Sequence, residues 1–532
     1  SMMPDGSDII PLSYHDTNEW HPSVDNNGMI IYTRWDYVDR DSDIAHHIWH
    51  CFPDGRDPRS YHGNYPKVRE SRPWMELANR AIPGSHKYIS VAAPHHGQNY
   101  GSLIMIDIRK EDDGSTSQIQ RITPEVLFPE SESFPGVAQK THKGRNRFGN
   151  WEVYGQPWPL SEDFYLCVYR MGKKMKHGVY LVDSFGNKEL LYHDPKIAAL
   201  DPIPLRPRNK PPAIPIQTTQ AKAEQTMADP EKMSMGTVTI MNIYESEYPW
   251  PADTIIKELR IINVFPKPTH TVKDPVIGIA AQSLARGILG TVPVEKDGSV
   301  HFSCPTGMPI YFQAIDDKGM MVQNMRSATY LHPGETLSCI GCHENKQRPP
   351  RNTGQAPIAL KRPPSKIQPE AIGSYPILFS RFVQPVLDKN CVECHNKEKK
   401  APSLRSKLVF KKAKKSVDRV NKQHIKSEAF ETLKDYAWGK KGGNGAIASN
   451  GRSYSIPGKE GFRVSRLYDI LVSKNHHDVK LSKEDLRRIS AWVDCNSNFF
   501  GAYLDTEKQA KGEVVKPMLG LPKYVEFEKL VR

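Results

Sequence analysis

Two pentapeptides constrain this chain more than anything else in it. Cys339-Ile340-Gly341-Cys342-His343 and Cys391-Val392-Glu393-Cys394-His395 both read C-x-x-C-H. The spacing is that of covalent c-type haem attachment. Two thiols three residues apart reach the two vinyl groups of one porphyrin, and the adjacent imidazole lies beneath the iron as an axial ligand. Two other chemistries compete. Four thiolates could hold zinc, although the two pairs are further apart in sequence than in the usual zinc ribbon, and both histidines would be left unexplained. A thioredoxin-like C-x-x-C needs a βαβ context, which the sequence pattern does not offer.

Haem attachment takes place on the outer side of the bacterial inner membrane, so the sequence reads as that of a periplasmic or exported protein. Ser1-Met2-Met3-Pro4 lacks a basic segment followed by an apolar one, so the expectation is a signal removed from this chain. Cys51, Cys167, Cys304 and Cys495 remain. In an oxidising compartment they are disulfide candidates, and buried free thiols are the equal alternative.

The 532 residues include 43 Pro and 36 Gly, which describes a turn-rich, mainly β chain of about three or four domains. No run of 18 apolar residues is present, so no membrane-spanning helix is expected. The 73 basic and 60 acidic residues give a net charge of +13. Between Asn396 and Lys426 lie 12 basic and 2 acidic residues, a local +10 that leaves +3 for everything else. With Phe410 as its one aromatic residue, that stretch is poorly built for nucleic acid. It reads as a solvated lysine-rich face or as a docking face for an acidic redox partner.

Residues 1–200 read as repeated four-stranded units. Met29 to Trp35 is a strong strand, and Pro4-Asp5-Gly6 recurs as Pro53-Asp54-Gly55. Gly101 to Asp107 resembles Gly178 to Asp183, each preceded by a strand and a His-Gly turn. This pattern fits blades of a β-propeller, incomplete at its N-terminus. Residues 201–235 read as a Pro-rich linker. Residues 236–344 return to strands around Asp-Gly turns and predict a β-sandwich middle domain that ends in the first motif. Residues 345–369 read as a second linker. Residues 370–505 predict a cytochrome-c-like helical domain with the second motif, and 506–532 a tail. In that helical domain Leu378, Phe382 and Val386 recur at helical spacing, and Pro385 interrupts or restarts the helix. Ser482 and Asp485 form a capping box, with Leu486, Ile489, Trp492 and Val493 facing a core.

A low-spin iron needs a second axial ligand. His476-His477, just before the closing helix, is the best candidate, with exposed loop histidines as the bland alternative. No Met lies between Met325 and Met518, which weakens methionine ligation. His95-His96 and Cys51, which follows His46-His47-Ile48-Trp49-His50, are candidates to approach the first haem as acid–base or zinc-binding groups. Ordinary turn histidines and a buried thiol are the competing reading. Cys304 is a weaker zinc candidate.

Three segments together resemble one family. They are the blades with Trp20-His21-Pro22-Ser23 and Tyr32-Thr33-Arg34-Trp35-Asp36, the run from Met325-Arg326-Ser327 to Ser338-Cys339-Ile340-Gly341-Cys342-His343-Glu344, and Phe382 to His395. The chain resembles the hydrazine synthase alpha subunit and its relatives over nearly all of 1–505. The resemblance implies a propeller, a middle domain with a catalytic-type haem, and a C-terminal bis-histidine haem domain. It also favours His476 over His477. In the hydrazine-forming member a Tyr four residues after the first motif ligates iron, and the motif histidine is diverted to zinc. Gln347 stands at that position here, and the next Tyr downstream is Tyr375. The resemblance therefore implies a relative and not that enzyme.

The leading expectation is a periplasmic dihaem c-type cytochrome and redox enzyme. The first haem would have a small-molecule site, the second would transfer electrons, and the chain would be a subunit of a larger complex. The alternatives are a non-catalytic electron-transfer or interaction scaffold, and a zinc-stabilised binding module without haem.

Overall fold

The computed structural model describes residues 1–2, 4–7, 10–36, 46–62, 72–94, 99–111, 117–129, 131–132, 152–172, 174–219, 234–269, 275–279, 283–325, 327–345, 348–351, 354–370, 373–412, 423–437, 455–473 and 476–517. The chain divides into two compact units. One comprises Thr17–Asp36 with Ser42–Gln217, and the other is chiefly Ser1–Asp16 with Thr218–Arg532.

The first unit contains three four-stranded antiparallel meanders in chain order. They are β1 (Glu19–Val24), β2 (Ile30–Trp35), β3 (His46–Cys51) and β4 (Arg59–Ser60); β5 (Met75–Ala81), β6 (Lys87–Ala93), β7 (Ser102–Asp107) and β8 (Ile119–Arg121); and β9 (Val153–Pro159), β10 (Phe164–Arg170), β11 (Gly178–Asp183) and β12 (Lys188–Tyr192). One parallel pairing, His46 with Met75, links the first two meanders into a single sheet. β-Branched and aromatic residues fill the strands, as in Ile30-Ile31-Tyr32-Thr33-Arg34-Trp35. Asp-led turns close the hairpins. Asp25 Oδ1 accepts from the Asn27 and Met29 amides, each at 2.9 Å, and Asp183 Oδ1 accepts from Phe185 and Asn187 at 3.0 and 2.9 Å.

The middle meander is buried on both faces, with the alternation a strand requires. Tyr88, Ala92, Ile104 and Ile106 pack with Ile31 and Ile48 of the first meander. Ile89, Val91, Leu103 and Met105 pack with Tyr154, Tyr165, Cys167 and Tyr169 of the third. The repeat extends to the backbone. The first strand of each meander slips register at one place, and its bulged residue is left-handed: His21 (φ 50°), Ala78 (φ 52°) and Gln156 (φ 45°). Between the first two meanders, the buried Glu76 carboxylate lies 3.3 Å from His47 Nδ1 and 2.9 Å from His62 Nε2.

The second unit is layered. A three-stranded sheet joins β13 (Met235–Ile240), β16 (Val300–Pro305) and β19 (Thr336–Cys339), with β13 and β19 parallel. A four-stranded antiparallel sheet joins β14 (Ile256–Val264), β15 (Arg286–Pro293), β17 (Ile310–Asp316) and β18 (Met321–Asn324). Val238, Phe302 and Leu337 of the smaller sheet share one core with Leu259, Ile261, Phe312 and Ala314 of the larger. The larger sheet turns its other face, through Ile262, Val264, Ile288 and Tyr311, onto a C-terminal helical region centred on Phe379, Phe382, Phe430 and Trp492.

That region holds α1 (Phe379–Phe382), α2 (Gln384–Asn390), α3 (Val392–Lys397), α4 (Glu428–Ala437) and α5 (Lys483–Asp494), with a hairpin of β20 (Leu408–Lys412) and β21 (Gln423–Ser427). Pro385 lies in the first turn of α2, where its missing N–H costs nothing, so the helical run breaks at Val383 and restarts. Ser482 Oγ caps α5 by accepting from the Asp485 amide at 3.1 Å. The architecture is thus several small sheets with a C-terminal helical region. Among the described residues neither a closed propeller ring nor a complete cytochrome-c fold is traced.

Both Pro-rich stretches are bonded to their folded surroundings. Asp201 N donates to Gln156 Oε1 at 3.1 Å, and Gln217 N donates to Asp54 Oδ2 at 2.9 Å. After the first motif, Ser365 exchanges backbone bonds with His301 and Ser303 on β16, and Gln368 does so with Thr291 on β15. One strap therefore covers an edge strand of each of the two larger sheets in the second unit.

Candidate functional site

The second C-x-x-C-H motif straddles α2 and α3. Cys391 closes α2, its thiol against the helical core, while Cys394 is exposed. Burial, then Cys394 and Asp485, push the Cys391 thiol up to about 11. His395 Nδ1 lies 2.7 Å from the Pro402 carbonyl oxygen. A carbonyl only accepts, so Nδ1 is the donor in this contact and Nε2 is the nitrogen left for any other partner. The His395 ring centre is 6.1 Å from that of His476. Two imidazoles that each bond one metal ion at about 2 Å have ring centres about 6 Å apart, so the pair has the spacing an iron between them requires. His477 is exposed, 4.8 Å from the His476 ring. Burial, then His477 and His395, lower the pKa of His476, which favours the neutral, ligating form.

The first motif has a different setting. It begins at the end of β19 and runs through a loop, with Cys339 and Cys342 packed against the two-sheet core. Burial, then Glu344 and Cys339, push the Cys342 thiol up to about 12. The segment after β13 forms a backbone mould around it. Met241 N donates to Cys339 O and Asn242 N to Ile340 O, each at 3.0 Å. Cys342 N donates to Glu245 O at 2.9 Å, and Glu247 N to His343 O at 3.0 Å. Asn345 Nδ2 donates to Glu247 Oε1 at 2.6 Å. Gly341 fits only because it lacks a side chain, since a Cβ there would stand 2.2 Å from Glu245 O. His343 is left-handed (φ 64°), and its ring stacks on Tyr248 at 4.9 Å and 18°.

The sequence thus marks both motifs and His476, and the fold brings His395 and His476 together. It gives no sign of Pro402, of the mould over 241–248, or of Tyr248. These partners act through backbone atoms or from a distant loop, and no spacing rule relates them to the motif. His95, His96 and Gln347 lie outside the described residues. Cys51 packs with Tyr32 and Trp49 in a small apolar cluster. Cys304 is buried in the two-sheet core, where burial raises its pKa. Tyr375 donates to Asn263 Oδ1 at 3.1 Å and packs at the edge of the core shared with the helices. Among the described residues, no three His, Cys, Asp or Glu side chains gather as a metal site, and no helix is long and apolar enough to cross a membrane.

Residues 254–344, from β14 to the first motif, match the family model described as the hydrazine synthase alpha subunit middle domain. Over 63 residues the chain is 44% identical to hydrazine synthase subunit alpha of Kuenenia stuttgartiensis, a stretch covering 12% of this chain and 8% of that protein. The solved structure of Kuenenia stuttgartiensis hydrazine synthase resembles this fold with a TM-score of 0.66 at 18% identity, over 92% of this chain and 70% of that one.

Proposed function

We propose a redox role, that of an exported dihaem cytochrome, for this chain, which belongs to the hydrazine synthase alpha subunit family as a distant relative. Cys391 and Cys394 would hold one porphyrin, with His395 and His476 as the residues that would ligate its iron. Cys339 and Cys342 would hold the other, beside His343. When bound, haem supplies one-electron exchange, and a small-molecule site where an axial position stays open. The observation that carries the reading is the 6.1 Å separation of His395 and His476. These residues are far apart in sequence, and the fold brings their rings together.

The chain's own residues do the rest. Pro402 O accepts from His395 Nδ1 and so fixes the orientation of the imidazole. The two-sheet core and the 241–248 mould hold the first motif rigid before any group is attached. The three stacked meanders support a partial β-propeller, and the layered unit supports a sandwich joined to a cytochrome-like helical region. The exposed Cys394 lies at the start of the lysine-rich stretch, which favours an acidic redox partner and membership of a multi-subunit assembly. Hydrazine formation is not part of this reading, because Gln347 replaces the family tyrosine.

The test uses protein matured in a bacterial periplasm. The expected result is a mass two haem groups above that of the polypeptide, with a c-type α-band that survives acid–acetone extraction. Colourless protein with the bare polypeptide mass would refute the reading. A high-spin component that shifts with cyanide or CO supports a small-molecule site, and two irons unmoved by either favour the electron-transfer scaffold.

A further inference from the structure

The two motifs orient their histidines by different means. At the second, a backbone carbonyl receives the Nδ1 proton of His395. At the first, the face of the His343 ring lies nearly parallel to the ring of Tyr248, 4.9 Å between centres and 18° between planes. Tyr248 is itself buried, and it follows Glu247, whose amide donates to the His343 carbonyl at 3.0 Å. The stack is therefore anchored at both ends. The backbone of one partner is bonded to the backbone beside the other, and His343 is held left-handed, a conformation uncommon for a residue with a side chain.

We propose that Tyr248 is the positioning residue of the first motif, its ring fixing the plane in which the His343 imidazole presents itself to a bound group. The inference rests on the reading of residues 339–343 as a haem-attachment site, but the contact itself is a property of the chain. The imidazole plane sets the direction of its nitrogen lone pair, so a ring locked by stacking offers one orientation where a free side chain would offer several. An offset aromatic pair of this kind contributes about 0.5–1.5 kcal/mol beyond its buried area, enough to select one rotamer by roughly 2- to 13-fold. It is the ring that matters here, so phenylalanine should replace tyrosine and an aliphatic residue should not.

The test compares Tyr248→Phe and Tyr248→Leu with the parent in two measurements. The first is NMR of the histidine-labelled protein, which reads the ring-current shift that Tyr248 imposes on the His343 ring protons whether or not haem is attached. The second is EPR and potentiometry of the haem-loaded protein, where the second haem serves as a reference within the same molecule. The expected result is that Tyr248→Leu abolishes the ring-current shift and moves or broadens the first-haem signal. The second-haem signal stays in place, and Tyr248→Phe retains the parent pattern. Unchanged His343 and first-haem signals in Tyr248→Leu would overturn the proposal, as would equal shifts in both variants, since those would assign the effect to the hydroxyl. Absence of haem at the first motif in the parent defeats the cofactor reading, and the NMR arm then decides the positioning role alone.

Discussion

Replacing Gly341 with alanine tests whether the first motif is pre-shaped by the chain. A Cβ built on Gly341 stands 2.2 Å from Glu245 O, 2.7 Å from Glu245 Cβ and 2.9 Å from Glu245 C. Carbon and oxygen in van der Waals contact are more than 3 Å apart, so the two backbones must separate by about 1 Å. Backbone rather than a side-chain tip must move, so relaxation is not cheap. The displacement also stretches the bond from Cys342 N to Glu245 O, now 2.9 Å. Overpacking of this size costs about 1–3 kcal/mol, and the strained hydrogen bond adds about 1 kcal/mol. The expected loss is therefore about 2–4 kcal/mol, read as a fall in the denaturant midpoint at unchanged slope. Gly172→Ala is the control, since its nearest neighbours stand 3.9 Å away on a flexible methionine, and it should change stability by less than about 0.5 kcal/mol. A Gly341→Ala protein as stable as the control would refute the mould.

Three other perturbations follow from the same geometry. If the chain carries haem as proposed, His476→Ala should let the haem at the second motif bind added imidazole, leaving the first-haem signals alone; an unchanged spectrum would point to another ligand. Glu370 is held at about 2, with burial pushing it up and Arg260 and Arg487 pulling it down more strongly. Its folded value lies below the unfolded one, so its contribution is present above about pH 4.5 and is lost as pH falls toward 2. Glu370→Gln should remove on the order of 3 kcal/mol of that acid-dependent stability, measured by urea unfolding across the window. Lys426 donates to Val276 O at 2.7 Å, and its Nζ stands 4.1 Å from the Phe500 ring centre. Burial lowers its pKa well below that of a free amine. The unfolded chain then holds the extra proton, so stability rises with pH toward 10; Lys426→Met should lack that rise, and parallel pH profiles would contradict it.

What the sequence reveals here follows the range over which its signals act. The meanders are legible because alternation and Asp-led turns are local, and the motif at Cys391 because its five residues are contiguous. His476 was legible only as a histidine beside a capped helix, and its approach to His395 depends on how α5 packs. The Pro-rich stretches read as linkers because composition reports the missing amide donors. It does not report that Ser365, Gln368 and Gln217 supply the donors that bind these stretches to the sheets. Tyr248 and the bonds over 241–248 escaped because backbone-to-backbone recognition leaves no residue pattern. The trio of His47, Glu76 and His62 escapes for a related reason, since each is unremarkable until β3, β5 and the bend after β4 bring them into one buried space.

The strap over 354–370 changes what it means to divide this molecule. A cut drawn there to isolate the C-terminal portion would strip Thr291, His301 and Ser303 of the backbone partners they now have. Two bare rows of amides and carbonyls would face solvent, each a template for a neighbouring chain. Fragments made at that point should self-associate, so the sheets and the helices are best regarded as one folding cooperative closed by its own proline-rich seam.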